Sequence, residues 1–291
     1  MRRVLVLAWG VWTLSGRRHL GLISAGVAFF SMLSVFPALG VIVALVSLWA
    51  DPDQVAEALA PMAEFLPPEA YFLLATQSTA LASAKPLTLG LTGLVSLLGT
   101  LWSARRGVAA LMRGLRAIHG GRAREKFQDV LVALGLTLAA IAAGATSVVT
   151  MVLLPIGLTL LAPLIPGDST LPALLKGARW IVALVVIVLG LGVFYRFGPN
   201  TQAARQGKFL SPGLWLAVAL WVLVSVAFTL FVGAFANYNE VYGSLGAAIA
   251  LMVWFQLSAY VVLLGAALNR VLAMNPKIRP ESDGTAPPAT G

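Results

Sequence analysis

The sequence predicts an all-α fold: a polytopic membrane helix bundle of six transmembrane helices, with an outer helical hairpin between spans 1 and 2. Three observations predict it. First, 59% of the 291 residues are hydrophobic and only 11% are charged, whereas a soluble domain carries roughly 45–50% apolar and about 25% charged residues. Too little polar surface remains to cover a water-facing core, and the mean hydropathy of +0.90 agrees. Second, the apolar runs are continuous over the length of about 20 residues that crosses hydrocarbon as a helix. Strands of a membrane barrel would instead alternate apolar and polar residues over about 10 positions. A helix also satisfies its backbone amides internally, which lipid demands. Third, Lys and Arg crowd into alternate loops, as the positive-inside rule requires.

Residues 1–19, MRRVLVLAWGVWTLSGRRH, hold a short apolar run between two arginine pairs. A signal peptide is the rival reading, but no A-x-A site is present and Arg17-Arg18 follow at once. The preferred reading is a cytoplasmic or interfacial helix with Trp9 and Trp12 at headgroup level. A transmembrane domain over 20–272 follows, with spans near 21–49, 87–104, 129–160, 178–197, 212–236 and 244–269. The second span is short, and its helix is expected to run on past Arg105. The third is long and is expected to end or kink near Pro155.

The loop at 50–86 reads as a helical hairpin on the outer surface. Asp51-Pro52 matches an N-cap followed by proline at the first helical position. Val55, Leu59, Met62 and Leu66 form one apolar face, and Pro67-Pro68 break it. A packed connector is the preferred reading, with a lid or periplasmic docking site as the alternative. The segment 273–291 is rich in Pro, Gly, Ser and Thr and is expected to be a disordered cytoplasmic tail.

With both termini inside, the cytoplasmic segments hold all but three of the 20 Lys and Arg residues. Only Lys85, Lys176 and Arg179 are left outside. Most of the 11 acids, including Asp51, Asp53, Glu57, Glu64, Glu69, Asp168 and Glu240, fall on the other side. The opposite topology would export the basic residues and is rejected.

Two stretches carry a family match. One is AGVAFFSMLSVFPALGVIVAL, Ala25 to Leu45. The other runs from Tyr195 to Asn269 and holds Y-R-x-x-P-N, P-G, Y-N-x-x-Y-G-S-L and L-L-G-x-x-L-N in that order. Together they resemble the YihY/BrkB family of bacterial inner-membrane proteins, collinearly from about residue 20 to 272. The resemblance implies a six-helix protein of the bacterial inner (plasma) membrane. It also brings links to the movement of envelope lipid material, to a virulence-associated role, and an old ribonuclease BN label. Two positions depart from the pattern. Ala267 stands where such proteins usually carry a glutamate, and Arg116 follows Leu115 where they usually carry asparagine. A proton relay through that glutamate could not operate here. Phe36 and Pro37 are carried over only as candidate hinge positions.

The residues offer little enzyme chemistry. There are no cysteines, which excludes disulfides, thiolate nucleophiles and Cys-based metal sites. A metal-dependent nuclease needs clustered carboxylates or histidines. The inward-facing acids are Glu125, Asp129, Glu281 and Asp283, and the only histidines are His19 and His119. No G-x-x-x-x-G-K-[ST] loop occurs. No catalytic residue, metal site or cofactor is therefore assigned.

Membrane lipids are the expected partners. In the basic loop at 105–128, Arg105, Arg106, Arg113 and Arg116 are candidates for contact with anionic headgroups, each worth about 1 kcal/mol near an anionic leaflet. Their first reading is orientation plus headgroup contact; capture of an anionic substrate is the sharper one. Nucleic acid is not expected, because no aromatic residues interleave for base stacking.

Within the spans, Ser24, Ala28 and Ser31 form a small stripe suited to close helix packing. No Asp or Glu sits at mid-depth, which argues against a proton-coupled pump. Candidates for a substrate pathway are Gln256, Ser258, Ser225 and Thr229, with Asn237, Tyr238, Asn239 and Tyr242 in the outer turn. That turn is read first as a hairpin cap and alternatively as a pathway mouth. In the last span, Gly243, Ala247, Ala250, Ser258 and Gly265 share one face at 100° per residue. Gln256 points the opposite way, near Tyr260 and Ala267, and is expected to be enclosed, since an unpaired amide in lipid is costly. The function expected is a transporter or flippase-like factor for cell-envelope lipid or an anionic amphiphile. A non-catalytic scaffold for envelope assembly is the alternative, and ribonuclease activity is not expected.

Overall fold

The computed structural model describes residues 2–46, 86–121, 125–148, 171–234 and 244–274. All regular structure among them is helical: α1 Arg2–Arg17, α2 Leu20–Val46, α3 Pro86–His119, α4 Lys126–Val148, α5 Leu171–Phe197, short α6 Gln202–Gln206, α7 Pro212–Ala234 and α8 Ser244–Met274. Each expected span coincides at least in part with a long helix, and α3 does continue beyond Arg105. The outer hairpin expected over 50–86, Pro155, the turn at 237–242, Gly243 and the tail beyond 274 lie outside the described residues.

Among the described residues, three helices are long and apolar enough to cross a membrane: Lys126–Gly144, Pro212–Phe231 and Ala248–Met274. α1 and α2 meet at 64° across the Arg18-His19 break. His19 adopts φ 51 there, a left-handed backbone that histidine tolerates better than most side chains. Trp9 and Trp12 are exposed along α1.

The other helix ends follow local chemistry. α3 closes with Gly120 at φ +69, and Gly121 N–H donates to the Arg116 carbonyl at 3.0 Å. That is the Schellman arrangement, which glycine permits because it carries no Cβ. α7 opens with Ser211 as its cap: Ser211 Oγ accepts from Leu214 N–H at 3.3 Å, and Pro212 takes the first helical position.

Packing concentrates at the end of the bundle where α2, α4 and α7 begin and α3, α5 and α8 finish. Leu20, Leu115, Ile118, Tyr195, Leu214, Leu263 and Ala267 are buried together there. A second cluster joins Met112 of α3 to Ala133 and Leu136 of α4. Close approach needs small residues, because lipid gives helices no hydrophobic reason to associate and contact must come from dispersion and hydrogen bonds. Gly114 provides one such place: a Cβ there would lie 2.7 Å from Leu263 Cδ2. The buried hydroxyls of Ser24 and Thr137 are satisfied within their own helices, on the Gly21 and Ala133 carbonyls.

Candidate functional site

The packed end carries a cleft of about 290 Å³. It lies between the C-termini of α3, α5 and α8 and the connection that holds α6 and leads into α7. Its walls include His119, Tyr195, Arg196, Lys208, Asn269 and Arg270. Among the described residues that line it, none is acidic.

Four side-chain arrangements shape the cleft. Asn269 Oδ1 accepts from Gly213 N–H at 2.8 Å, and Asn269 Nδ2 donates to Ser211 Oγ at 2.8 Å. The N–H of Gly213 fixes which end of the amide is oxygen, since only an acceptor can face it. Tyr195 donates its buried hydroxyl to the Val262 carbonyl at 2.6 Å, tying α5 to α8. At the α7–α8 crossing, a Cβ on Gly265 would collide with the Gly213 carbonyl and lie 2.5 Å from the Tyr195 hydroxyl. On α5, the Phe209 ring sits against Gly192, where a Cβ would come within 2.5 Å of Phe209 Cε1. Tyr195, Gly213, Gly265 and Asn269 come from three motif strings singled out in the sequence, and this junction is their common purpose.

His119 closes one side of the cleft. Its Nδ1 lies 3.0 Å from the Leu115 carbonyl, so Nδ1 carries the proton. Burial lowers its pKa from the ordinary 6.5 and the charge of Arg270 adds to that, against an opposing effect of the backbone bond. The imidazole is therefore neutral at neutral pH.

The basic stretch of α3 divides into different roles. Arg116 is not available for headgroups, which corrects the sequence expectation. Its guanidinium forms a two-pronged ion pair with the carboxylate of Asp129 in α4, and the two side chains are only 11% and 29% exposed. Asp129 sits in the first turn of α4, and its pairing with Arg116 follows no periodicity within either helix. Arg106 lies 4.0 Å from the Trp102 ring centroid and 5.8 Å from that of Phe30, a cation–π placement. Arg113 is exposed and Arg105 is half-buried.

The small residues Ser24 and Ala28 are buried, and Ser31 faces Gly107, whose Cβ position lies 3.6 Å from the serine hydroxyl. Ser258 accepts from Trp221 Nε1–H at 3.2 Å across the α7–α8 contact. Ser225 Oγ is buried with no hydrogen-bond partner among the described residues, and Thr229 bonds back to the Ser225 carbonyl. Ala250 is half-buried; the Ala247 side chain lies outside the described part of α8.

Gln256 is exposed, which corrects the expectation of enclosure on both sides. Ile249, Met252, Val253 and Leu257 are exposed with it, at the spacing of one helical face. The reason lies with α1. That helix covers the same face farther along, where Ser15 and Tyr260 hydroxyls meet at 2.9 Å and Gly10 packs on Val271. Both sides of α8 are thus enclosed around Ala267, but not around Gln256. The polar outer-turn candidates Asn237, Tyr238, Asn239 and Tyr242 lie outside the described residues. No group of three or more His, Asp or Glu placed to hold a metal ion occurs among the described residues.

Known proteins resemble this chain along most of its length. A family model described as Virulence factor BrkB matches residues 11–289. The "Putative ribonuclease-like protein YfkH" of Bacillus subtilis (strain 168) is 30% identical over 264 residues, covering 89% of this chain and 92% of that one. A "UPF0761 membrane protein" of Verminephrobacter eiseniae (strain EF01-2) is 26% identical over 259 residues, 87% of this chain and 59% of that one. A "UPF0761 membrane protein" of Xanthomonas campestris pv. campestris (strain 8004) is 40% identical over 87 residues, 30% of this chain and 19% of that one. No solved structure matches. The matched region contains the whole α5–α7–α8 junction and its motif residues, and by it the chain belongs to the BrkB family of membrane proteins.

Proposed function

We propose that the chain is a six-span protein of the bacterial inner membrane, with both termini cytoplasmic, that acts as a transporter or flippase-like factor for envelope lipid or another anionic amphiphile. One observation carries this reading. Arg17, Arg18, Arg113, Lys126, Arg196, Arg205, Lys208 and Arg270 all sit at or near helix ends on the packed side of the bundle. Such an end fits an anionic leaflet, which attracts each nearby cation by about 1 kcal/mol. The ribonuclease-like name belongs to the Bacillus relative.

The test is reconstitution of the purified chain in liposomes with labelled anionic lipid followed between leaflets. Protein-dependent crossing supports translocation. No crossing for any envelope lipid, together with stable co-purification of other envelope proteins, would leave the scaffold reading in its place. A reporter fused after Arg279 is expected to be active only in the cytoplasm, and activity outside would overturn the six-span topology.

A further inference from the structure

Three cations from three separate stretches open onto the same cleft. Arg196 ends α5, Lys208 lies in the connection to α7, and Arg270 follows the asparagine that caps α7. Among the described residues that line the cleft there is no carboxylate. The field of Arg270 already registers on His119, whose pKa it helps lower after burial has done most. The cleft is also preformed. Asn269 pins the start of α7 and the Phe209 ring closes on Gly192, so little ordering is left for a ligand to impose.

Size narrows the occupant. At about 290 Å³ the cleft sits at the lower edge of the roughly 300–1,000 Å³ typical of small-molecule sites. It suits a compact group and not a whole lipid. Guanidinium groups match tetrahedral oxyanions with paired donors, and a lysine adds a point charge.

We propose that this cleft is a phosphate-binding site in which Arg196, Lys208 and Arg270 hold the phosphate oxygens. The inference deepens the lipid reading above by naming the group recognised, and rests on that reading only for a lipid as the group's source. A phosphomonoester headgroup and free inorganic phosphate share the chemistry, and the experiment separates them.

The full chain, purified in dodecylmaltoside, is titrated with inorganic phosphate in one arm and with phosphatidic acid in mixed micelles in the other. Phosphatidylcholine micelles serve as the reference. Arg270→Gln and Lys208→Gln are compared with Arg179→Gln, near the opposite end of α5 from Arg196 and outside the cleft. Binding that each cleft variant weakens about tenfold, the loss of one charge-assisted contact, while Arg179→Gln leaves it unchanged, supports the site. Response to phosphatidic acid alone assigns it to a headgroup; response to inorganic phosphate as well assigns it to the free ion. Lys208 is exposed on a connection between helices, so Lys208→Gln still reports if Arg270→Gln fails to fold. Absence of binding in both arms, or equal loss in Arg179→Gln, overturns the proposal. Lipid crossing that the cleft variants do not alter would remove the cleft from transport and spare the translocation reading. Cleft-dependent binding without crossing would do the reverse.

Discussion

Asn269 should reveal whether the α7–α8 junction depends on one amide. In Asn269→Ala, the buried N–H of Gly213 loses its acceptor and Ser211 Oγ loses a donor. The first loss leaves a buried donor unsatisfied at about 1–3 kcal/mol, and the second forfeits a part-buried bond worth about 0.5–1.5 kcal/mol. The sum is about 2–4 kcal/mol, or a fall in melting temperature on the order of 5–10 °C for a chain of this size. Asn269→Asp separates geometry from charge. The carboxylate keeps an oxygen for Gly213 N–H, and the Ser211 hydroxyl can turn to donate where it formerly accepted. Stability should then stay within about 1 kcal/mol of wild type, a range ordinary for a tolerated substitution. The same carboxylate stands in the cleft beside Arg196, Lys208 and Arg270, so it should compete with phosphate and lower its affinity. Thermal unfolding in detergent, read by intrinsic tryptophan fluorescence, gives the stability arm; the phosphate titration gives the other. If Asn269→Ala unfolds at the wild-type temperature, or Asn269→Asp is as damaging as Asn269→Ala, the capping role is refuted.

Other substitutions probe the remaining contacts. Asp129→Asn leaves Arg116 nearly buried without its partner and should cost about 1–3 kcal/mol, less than a fully buried pair because Asp129 is 29% exposed; a double-mutant cycle with Arg116→Gln should return most of that as coupling, and additivity would dismiss the pair. Gly265→Ala should cost more than about 3 kcal/mol, since its methyl meets backbone, and normal yield of folded protein would contradict the crossing. His119 should make stability pH-dependent. The unfolded chain takes up a proton near 6.5 while the folded chain resists, so stability is full above that pH and declines as pH falls below it. His119→Gln should flatten that part of the profile, and an unchanged profile would count against the assignment. Gln256→Leu, at an exposed site, should leave stability within about 0.5 kcal/mol or raise it; a large loss would mean the amide has a partner after all.

The all-α class was legible because continuous apolar runs such as Leu20–Val46 and Pro212–Ala234 admit no other spanning structure. The reach of α3 past Arg105 was legible too, from its repeating apolar positions. The cleft was not. It depends on contacts with no local period: Asn269 meets Gly213 across 56 residues and Tyr195 meets Val262 across 67. Composition marked Arg196, Lys208 and Arg270 as inward-facing charges but could not bring them to one wall. The motif strings held the needed residues, Tyr195, Gly213, Gly265 and Asn269, without saying that they touch. Arg116 and Asp129 were both noticed, yet their pairing depends on how the Gly120-Gly121 turn folds α4 back along α3. Gln256 was misplaced because helical-wheel symmetry treats a whole span alike, whereas α1 shields only one stretch of α8.

The Gly213–Gly265 crossing carries a genetic consequence. In most packed pairs an oversized side chain on one helix can be rescued by a smaller one opposite. Here a methyl on either glycine strikes the other's carbonyl oxygen, an atom that no codon change removes. Intragenic suppressors of a Gly265→Ala allele should therefore be absent from position 213. They should arise at positions that set the spacing of the two helix backbones, such as Ala217, whose Cβ lies 2.8 Å from the added methyl.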